Sequence, residues 1–319
     1  MKISETDILL KAAFTKRLAL FGDPETDCFR IFNSSGDGIR GLTLDWYNGY
    51  ILIQYYTSGA QSMIDQIVAR IVRCASLFPE PVRGILLKNR MHAPEQGGSG
   101  KWKSLIVWGA YPEGGNVVRQ NGTLMNTDLV NGQNTGIFLD MRDIRAGLAD
   151  FYKREKPGSM LNLFCYTGAF SAHALKNGVE RAINVDLSKS VLKRAVENYR
   201  LNGLTVDERN FVYGDSSERV KIFAKKNRYF DFVVFDPPTF SRNKGKNFSV
   251  RHNYTAFLDL IGQIVPRGFV FTSINALSLS KTEYLSFHPR SWELVMFANE
   301  STDFIHRGDP YLKAGLWKI

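Results

Sequence analysis

The chain has 319 residues and is basic, with 41 Lys and Arg against 31 Asp and Glu. Its length exceeds that of one ordinary domain, and 44% hydrophobic residues suffice to bury a core, so we expect two domains. No apolar run reaches the ~18 residues that a membrane-spanning helix needs. The net charge of +10 favours a polyanionic partner; the alternative is that the excess of basic residues only aids solubility.

The first residues and the cysteines indicate a reducing compartment. Met1–Leu10 carries acids and lacks the basic start and cleavage site of a secretory signal. Cys28, Cys74 and Cys165 are too far apart for a metal-site spacing, and their odd number does not suggest a disulfide framework. The histidines also lack metal-ligand spacing. We therefore expect a cytoplasmic protein with no metal and no membrane attachment.

The first part of the chain predicts a small α+β domain over residues 1–125. Ser4 and Asp7 form the pattern of a capping box, and Asn48-Gly49 suits a tight turn between two strands. The predicted elements are a helix over Asp7–Leu20, strands over Gly41–Asp45 and Tyr50–Tyr56, a helix over Ser62–Cys74 and a strand over Gly84–Lys88.

The pattern changes near Asn131, where apolar runs begin to alternate with helical segments. Strands are predicted over Met160–Phe164, Arg181–Val185, Phe211–Tyr213, Phe230–Phe235 and Phe269–Thr272. Helices are predicted over Ala169–Lys176, Lys189–Leu201, Ser217–Lys225 and Tyr254–Ile264. This alternation is typical of a parallel sheet covered by helices on both faces, and we assign it to a second domain, residues 126–319.

The strand Met160–Phe164 runs into a tight turn that leads to a helix. Gly168 in this turn lets a ligand approach the backbone closely. The turn has one glycine and lacks the G-x-G-x-x-G pattern that holds a pyrophosphate, which disfavours a nicotinamide dehydrogenase. A ligand without a pyrophosphate is therefore expected.

Two acids follow the next two strands, at the edge where open α/β sheets bind ligands. Asp186 is placed to accept the hydroxyls of a ribose; the alternative is a helix cap before Leu187-Ser188. Asp215 is a candidate acceptor for an exocyclic adenine amine, and its alternative is also a cap or turn residue.

The fourth strand ends in Asp236-Pro237-Pro238-Thr239, whose prolines restrict the backbone and can direct a carboxylate into the cleft. The alternative is an ordinary turn. The segment after it, Ser241–Asn253, holds several basic residues and no acid, which favours contact with phosphates. Its alternative is a solvated loop.

These motifs together resemble known enzymes. Asn162–Phe170, Asp186, Asp215 and Asp236–Thr239 are similar to the successive motifs of class I S-adenosylmethionine-dependent methyltransferases. The stretches Arg30–Asp45 and Gly132–Arg142 resemble the preceding domain and the linking motif of bacterial 23S rRNA large-subunit methyltransferases, which have m5C and m7G branches.

The resemblance implies an α/β, Rossmann-like class I methyltransferase fold, with a seven-stranded, mostly parallel sheet and a smaller N-terminal α+β domain that contacts RNA. It implies S-adenosylmethionine as cofactor and 23S rRNA as partner, and leaves a homodimer open. The expected cofactor contacts are Asn162, Phe164, Tyr166, Thr167, Gly168, Phe170, Asp186, Leu187, Ser188, Asp215, Ser216, Asp140 and Arg142. The expected catalytic residues are Asp236, Pro237, Pro238 and Thr239, and the expected RNA contacts are Arg242, Lys244, Lys246 and Arg251.

The chain departs from the family pattern in three ways. We expect no N-terminal PUA domain, Asn134 replaces the usual Lys of the linking motif, and Ile274 stands where cytosine-C5 members carry a nucleophilic cysteine. Carbon 5 of cytosine needs addition of a thiolate before methylation. The absence of that cysteine therefore favours a ring or exocyclic nitrogen as acceptor. A cytosine-C5 enzyme and an inactive RNA-binding protein with this fold remain the alternatives.

Overall fold

The computed structural model describes residues 4–91, 102–238, 240–243 and 246–319, with the backbone alone for 240–243 and 246–253. The chain divides into two compact units, Met1–Arg142 with Ser301–Gly308, and Asp143–Glu300 with Asp309–Ile319. The sequence-based boundary lies at residue 125, whereas the first unit continues to Arg142. One reason is that the linking motif packs within this unit, where the Lys88 ammonium donates to the Gly132 carbonyl (3.1 Å).

The first unit is built on a five-stranded sheet in the order β1-β2-β3-β4-β5 and a separate β6-β7 hairpin. Its strands are β1 (Cys28–Asn33), β2 (Leu42–Tyr47), β3 (Tyr50–Tyr55), β4 (Gly84–Asn89), β5 (Leu105–Gly109), β6 (Asn116–Gln120) and β7 (Thr123–Thr127). Its helices are α1 (Glu5–Lys16), α2 (Leu18–Phe21), α3 (Ser58–Gln61) and α4 (Ile64–Arg73), with 3-10 turns at Ser34–Gly36, Ala75–Leu77 and Leu139–Met141.

Local signals account for several of these elements. The Asp7 amide donates to the Ser4 hydroxyl (3.2 Å) and the Ser4 amide donates to the Asp7 carboxylate (3.3 Å), which completes the expected capping box of α1. Asn48 and Gly49 adopt φ angles of 46° and 88°, as a two-residue hairpin turn requires. The sheet and helices enclose one hydrophobic core that includes Trp46.

A network of buried charges holds the segment Ser301–Gly308 in the first unit. Asp303 pairs with Arg142 (3.1 Å) and accepts from the Arg30 amide (2.7 Å), while its carbonyl accepts from Arg17 (2.6 Å). Arg17 also pairs with the buried Asp37 (2.7 Å). Because a buried charge left without its partner costs several kcal/mol, each member constrains the others. Arg30 and Asp37 of the Arg30–Asp45 stretch belong to this network, so these two motif residues have a structural role.

The second unit carries the alternating pattern. Its strands are β8 (Met160–Leu163), β9 (Ala182–Asp186), β10 (Phe211–Tyr213), β11 (Phe232–Phe235), β12 (Phe240–Asn243), β13 (Lys246–Ser249), β14 (Phe269–Asn275), β15 (Glu293–Ala298) and β16 (Leu312–Lys318). Its helices are α5 (Arg142–Glu155), α6 (Ala169–Lys176), α7 (Lys189–Leu201), α8 (Ser216–Lys225), α9 (Val250–Gly262) and α10 (Lys281–Ser286), with a 3-10 turn at Glu208–Asn210.

Seven of these strands form one sheet in the order β10-β9-β8-β11-β14-β16-β15. The first five run parallel and the last two pair antiparallel. The continuous apolar run of β11 is buried on both faces, as is usual for a central parallel strand. This architecture confirms the expected α/β fold with its seven-stranded, mostly parallel sheet.

The basic segment after Asp236 differs from the expected loop. Residues Phe240–Asn243 and Lys246–Ser249 pair as an antiparallel hairpin, and α9 begins at Val250, four residues before the helix predicted from Tyr254. Most residues in this short stretch are polar and do not alternate with apolar ones, so the sequence shows no strand period. Across the described residues, none of the helices combines the length and hydrophobicity that a membrane crossing needs.

Gly36 tests the packing of the segment Ser301–Gly308. A Cβ atom added at Gly36 would overlap the carbonyl of Ile305, so we expect Gly36→Ala to lower the free energy of unfolding by about 1–3 kcal/mol, the usual cost of overpacking. The control is Gly59→Ala in α3, where nothing lies within 4 Å of the added atom. Urea denaturation of both variants is the measurement, and equal midpoints would contradict the expectation.

Candidate active site

The turn after β8 has an unusual backbone. Phe164, Tyr166 and Gly168 all adopt positive φ angles, of 53°, 50° and 78°. Positive φ is unfavourable for residues other than glycine, so contacts with the surrounding residues have to stabilise the turn. One such contact comes from α7, where the buried Asn198 amide donates to the Thr167 carbonyl (2.9 Å).

A buried polar network lies beneath this turn. The Ser171 hydroxyl donates to the Gly168 carbonyl (3.0 Å) and lies 2.5 Å from the side-chain oxygen of Asn184. Asn184 in turn donates to the Tyr199 hydroxyl (2.8 Å), and Asn162 of β8 lies within 3.4 Å of Ser171. The structure thus places Asn162 among side chains that support the turn from below.

Asp186 ends β9 beside the turn. One carboxylate oxygen accepts from the Tyr166 amide (3.0 Å) and the other from the Ser188 amide (2.9 Å). Burial raises the pKa of Asp186, and the hydrogen bonds from Ser188, Tyr166 and Leu187 oppose that rise. The side chain is half-buried, and the next residue, Leu187, is exposed. A carboxylate and an apolar side chain thus stand together at the carboxyl edge of the sheet.

The neighbouring strand β10 brings Asp215 to the same edge. Tyr213 is paired with Asp186, and the Gly214 amide donates to the Asp186 carbonyl (3.0 Å). The Asp215 carboxylate caps α8, accepting from the amides of Ser217 (2.9 Å) and Glu218 (3.2 Å). The capping alternative is therefore present in the structure, and contact with adenine stays a prediction.

Asp236 follows β11 on the other side of β8. Because Phe235 pairs with Thr272 of β14, Asp236 comes next to Ser273, whose hydroxyl donates to the Asp236 carboxylate. Ser273 is fully buried, and its carbonyl accepts from the buried Tyr254 hydroxyl (3.3 Å). Sequence analysis missed Ser273 because only the register between β11 and β14 reveals it.

The cysteines are not arranged for nucleophilic attack. Ile274 is buried at the end of β14, the position of the cysteine in cytosine-C5 members. Cys165 is buried in the turn after β8, and burial together with the Asp186 charge raises its thiol pKa well above the usual value. Cys28 and Cys74 belong to the first unit. A thiol that resists ionisation is a poor nucleophile.

The other expected site residues have varied positions. Phe170 is buried on α6 between the Phe271 ring (5.2 Å) and the Arg145 guanidinium (5.4 Å). Ser216 is buried at the start of α8, Pro237 is buried and Pro238 is exposed. Asp140 and Arg142 belong to the first unit. Thr239 and Lys244 lie outside the described residues, and the side chains of Arg242, Lys246 and Arg251 are not described.

The side chains at this edge of the sheet suit an adenosine group. The Asp186 carboxylate can accept ribose hydroxyls while it keeps its backbone donors, and the exposed Leu187 offers an apolar face to a base. The turn after β8 combines backbone at positive φ with half-buried side chains at Phe164 and Tyr166. No group of three or more potential metal ligands occurs in the part of the chain that the structure describes.

Comparisons with known proteins agree with this geometry. A model of the S-adenosylmethionine-dependent methyltransferases matches residues 30–299. The "Putative ribosomal RNA large subunit methyltransferase YwbD" of Bacillus subtilis is 32% identical over 88% of this chain and 68% of its own length. The "Ribosomal RNA large subunit methyltransferase I" of Photobacterium profundum is 30% identical over 82% of this chain. This chain spans only 64% of that second relative.

Two solved structures share both units. One, "a putative methyltransferase complexed with SAH", has a TM-score of 0.86 and 27% identity over 98% of this chain and 80% of its own. A methyltransferase from Streptococcus mutans has a TM-score of 0.84 and 26% identity, covering all of this chain and 83% of its own. The sequence motifs, the sheet order and these similarities lead to one conclusion: the chain belongs to the S-adenosylmethionine-dependent methyltransferase family.

Proposed function

We propose that this protein transfers a methyl group from S-adenosylmethionine to a base nitrogen of RNA, with large-subunit ribosomal RNA as the substrate. The relatives named ribosomal RNA large subunit methyltransferases support the substrate, and the net charge of +10 suits a polyanion. The choice of a nitrogen acceptor rests on one observation: at the carboxyl edge Asp236 pairs with Ser273, and burial raises the pKa of the Cys165 thiol. An RNA substrate also fits the expected cytoplasmic location.

The residues around β8 and β9 would hold the cofactor. When bound, S-adenosylmethionine supplies a sulfonium methyl group open to attack by a nucleophile. Asp186 binds the ribose through its carboxylate, and Leu187 packs against the base. The strained turn from Phe164 to Gly168 presents its backbone to the methionine group. Together these contacts fix the direction from which an acceptor has to approach.

Asp236 and the backbone after it would position the acceptor. The Ser273 hydroxyl donates to one carboxylate oxygen of Asp236. Because a carboxylate has about four acceptor sites, it can also accept from a base N–H. The two prolines restrict the chain that follows, so the carbonyl groups there have defined directions. A nitrogen lone pair that is aligned and desolvated in this way can attack without covalent help.

The strands β12 and β13 follow Asp236 closely in the chain and include Arg242 and Lys246. We expect these two residues, with Lys244 and Arg251, to hold phosphates beside the target nucleotide. The base has to leave its stack to reach the methyl group, which costs a few kcal/mol and favours an unpaired target.

The role of Asp186 can be tested by ligand binding. Asp186→Asn keeps the shape but removes the charge, so we expect the affinity for S-adenosylhomocysteine to fall about 10- to 150-fold, as for hydrogen bonds to a charged group. Calorimetry is the measurement. Glu197→Gln, which removes an exposed acid from α7, is the control and should bind as the wild type does.

The same experiment has a pH dependence. Because burial raises the pKa of Asp186 and ligand binds its ionised form, affinity is full above that pKa and falls as the pH drops through it. In Asp186→Asn this part of the pH dependence should vanish. An Asp186→Asn variant with wild-type affinity would show that the ribose lies elsewhere.

The mechanism predicts that turnover needs no cysteine. A variant with Cys28, Cys74 and Cys165 all replaced by Ala should keep methyl transfer within about tenfold, whereas removal of a true nucleophile costs several orders of magnitude. The assay is tritiated methyl transfer to rRNA from a deletion strain, with mass mapping of the product. If the cysteine-free protein folds and binds cofactor yet is inactive, the cytosine-C5 alternative holds.

Ser273 should act through Asp236. We expect Ser273→Ala to lower kcat about 5- to 50-fold with little change in the KM for S-adenosylmethionine, because the carboxylate loses its fixed direction. Asp236→Asn should be more harmful. In a double-mutant cycle the effect of Ser273→Ala should largely disappear in the Asp236→Asn background. Additive effects would mean that Ser273 contributes only to packing.

A further inference from the structure

The first unit carries a cluster of aromatic and cationic side chains that has no role in the function proposed above. Its members are Tyr56, Arg90 and Trp102. The Arg90 guanidinium lies 4.5 Å from the centre of the Trp102 ring and 5.9 Å from that of Tyr56. Tyr56 is 45% exposed, and the other two side chains are half-buried. We call these three residues the Tyr56–Arg90–Trp102 cluster.

The sheet positions this cluster. β3 and β4 are parallel, with Tyr55 paired to Asn89, so Tyr56 and Arg90 are the residues directly beyond the two carboxyl ends. The Arg90 guanidinium donates to the Gln133 carbonyl (3.1 Å), and the Trp102 carbonyl accepts from the Gly132 amide (2.9 Å). The linking motif therefore contacts two members of the cluster, through the Arg90 guanidinium and the Trp102 backbone.

Two further cations, Arg40 and Lys103, adjoin the cluster through their backbone. Arg90 forms no ion pair with a carboxylate within the described ranges. Arg40 is exposed, and its carbonyl accepts from the hydroxyl of Thr57, the residue after Tyr56. Lys103, next to Trp102, is exposed as well. The nearby Asp128 carboxylate accepts from the amides of Val130 and Asn131.

We propose that the Tyr56–Arg90–Trp102 cluster binds single-stranded RNA by stacking unpaired bases on its rings while Arg90, Arg40 and Lys103 contact the phosphates. This inference rests on the proposed function, because it supplies a second contact for the same substrate. Single-stranded nucleic acids are bound by exposed aromatic rings combined with a positive groove, and each base has a face that can stack.

The chemistry of the cluster favours RNA over a protein partner. The edge strand β5 shows what an apolar contact surface in this unit looks like, since Leu105, Ile106 and Val107 are exposed there in succession. The cluster instead combines flat rings, a planar guanidinium and exposed cations. The exposed amide residues Gln133 and Asn134 next to Arg90 add hydrogen-bonding groups suited to base edges.

The test is binding of a fluorescein-labelled, unstructured oligoribonucleotide and of its duplex, measured by anisotropy over a range of salt. Tyr56→Leu should weaken single-strand binding about 5- to 150-fold with an unchanged salt slope, because stacking does not release counterions. Tyr56→Phe should bind as the wild type does. Arg90→Ala should flatten the slope by up to about 0.7, whereas Arg90→Lys should keep the slope and lose affinity.

Arg73→Ala, which removes an exposed charge at the end of α4, is the control for net charge and should leave binding unchanged. Circular dichroism and S-adenosylhomocysteine binding verify that each variant folds. Wild-type affinity in both Tyr56→Leu and Arg90→Ala would overturn the inference. A changed sedimentation coefficient with unchanged RNA binding would overturn it too, in favour of a protein contact.

Methyl transfer to rRNA separates this inference from the proposed function. If the wild type neither binds nor methylates RNA, the proposed function fails. If the wild type methylates rRNA and the cluster variants do so with the same kcat/KM and affinity, only the inference about the cluster fails.

Discussion

The hydrogen bond from the Tyr166 amide to the Asp186 carboxylate is the contact on which the candidate site depends. It joins the turn after β8 to the end of β9, and it exists because parallel strands bring their carboxyl ends to one edge. The turn itself is strained, with two residues other than glycine at positive φ. The carboxylate, the Asn198 amide and the polar network below hold this backbone in the conformation that a ligand would meet.

A similar division of roles applies to the acceptor side. Asp236 projects from the end of β11, yet its direction is set by Ser273 on the neighbouring strand. Such a pair suits direct attack by a nitrogen, for which alignment is the main requirement. Methylation at carbon 5 of cytosine would instead require a thiolate, and burial of Cys165 raises the pKa of its thiol. The proposed nitrogen acceptor rests on these two observations, which come from the ends of different strands.

The first unit includes a segment from late in the chain. Residues Ser301–Gly308, which lie between β15 and β16, belong to it, and Asp303 joins them to a network of buried charges with Arg142, Arg30 and Arg17. Replacing one member would strand its partners in a medium that solvates charge poorly. The Arg30–Asp45 stretch therefore serves the architecture, while the exposed Tyr56 and the half-buried Arg90 belong to the cluster proposed to bind RNA.

The sequence by itself determined the alternation of strands and helices, the family, and the acids at the strand ends, because periodicity, turn chemistry and caps are local. Helices such as Lys189–Leu201 were predicted to the residue. It could not show that Ser273 meets Asp236, that Asn162 supports the turn from below, or that residues 301–308 return to the first unit. Those contacts depend on strand order and register between segments far apart in the chain, and only the tertiary structure decides which distant residues become neighbours.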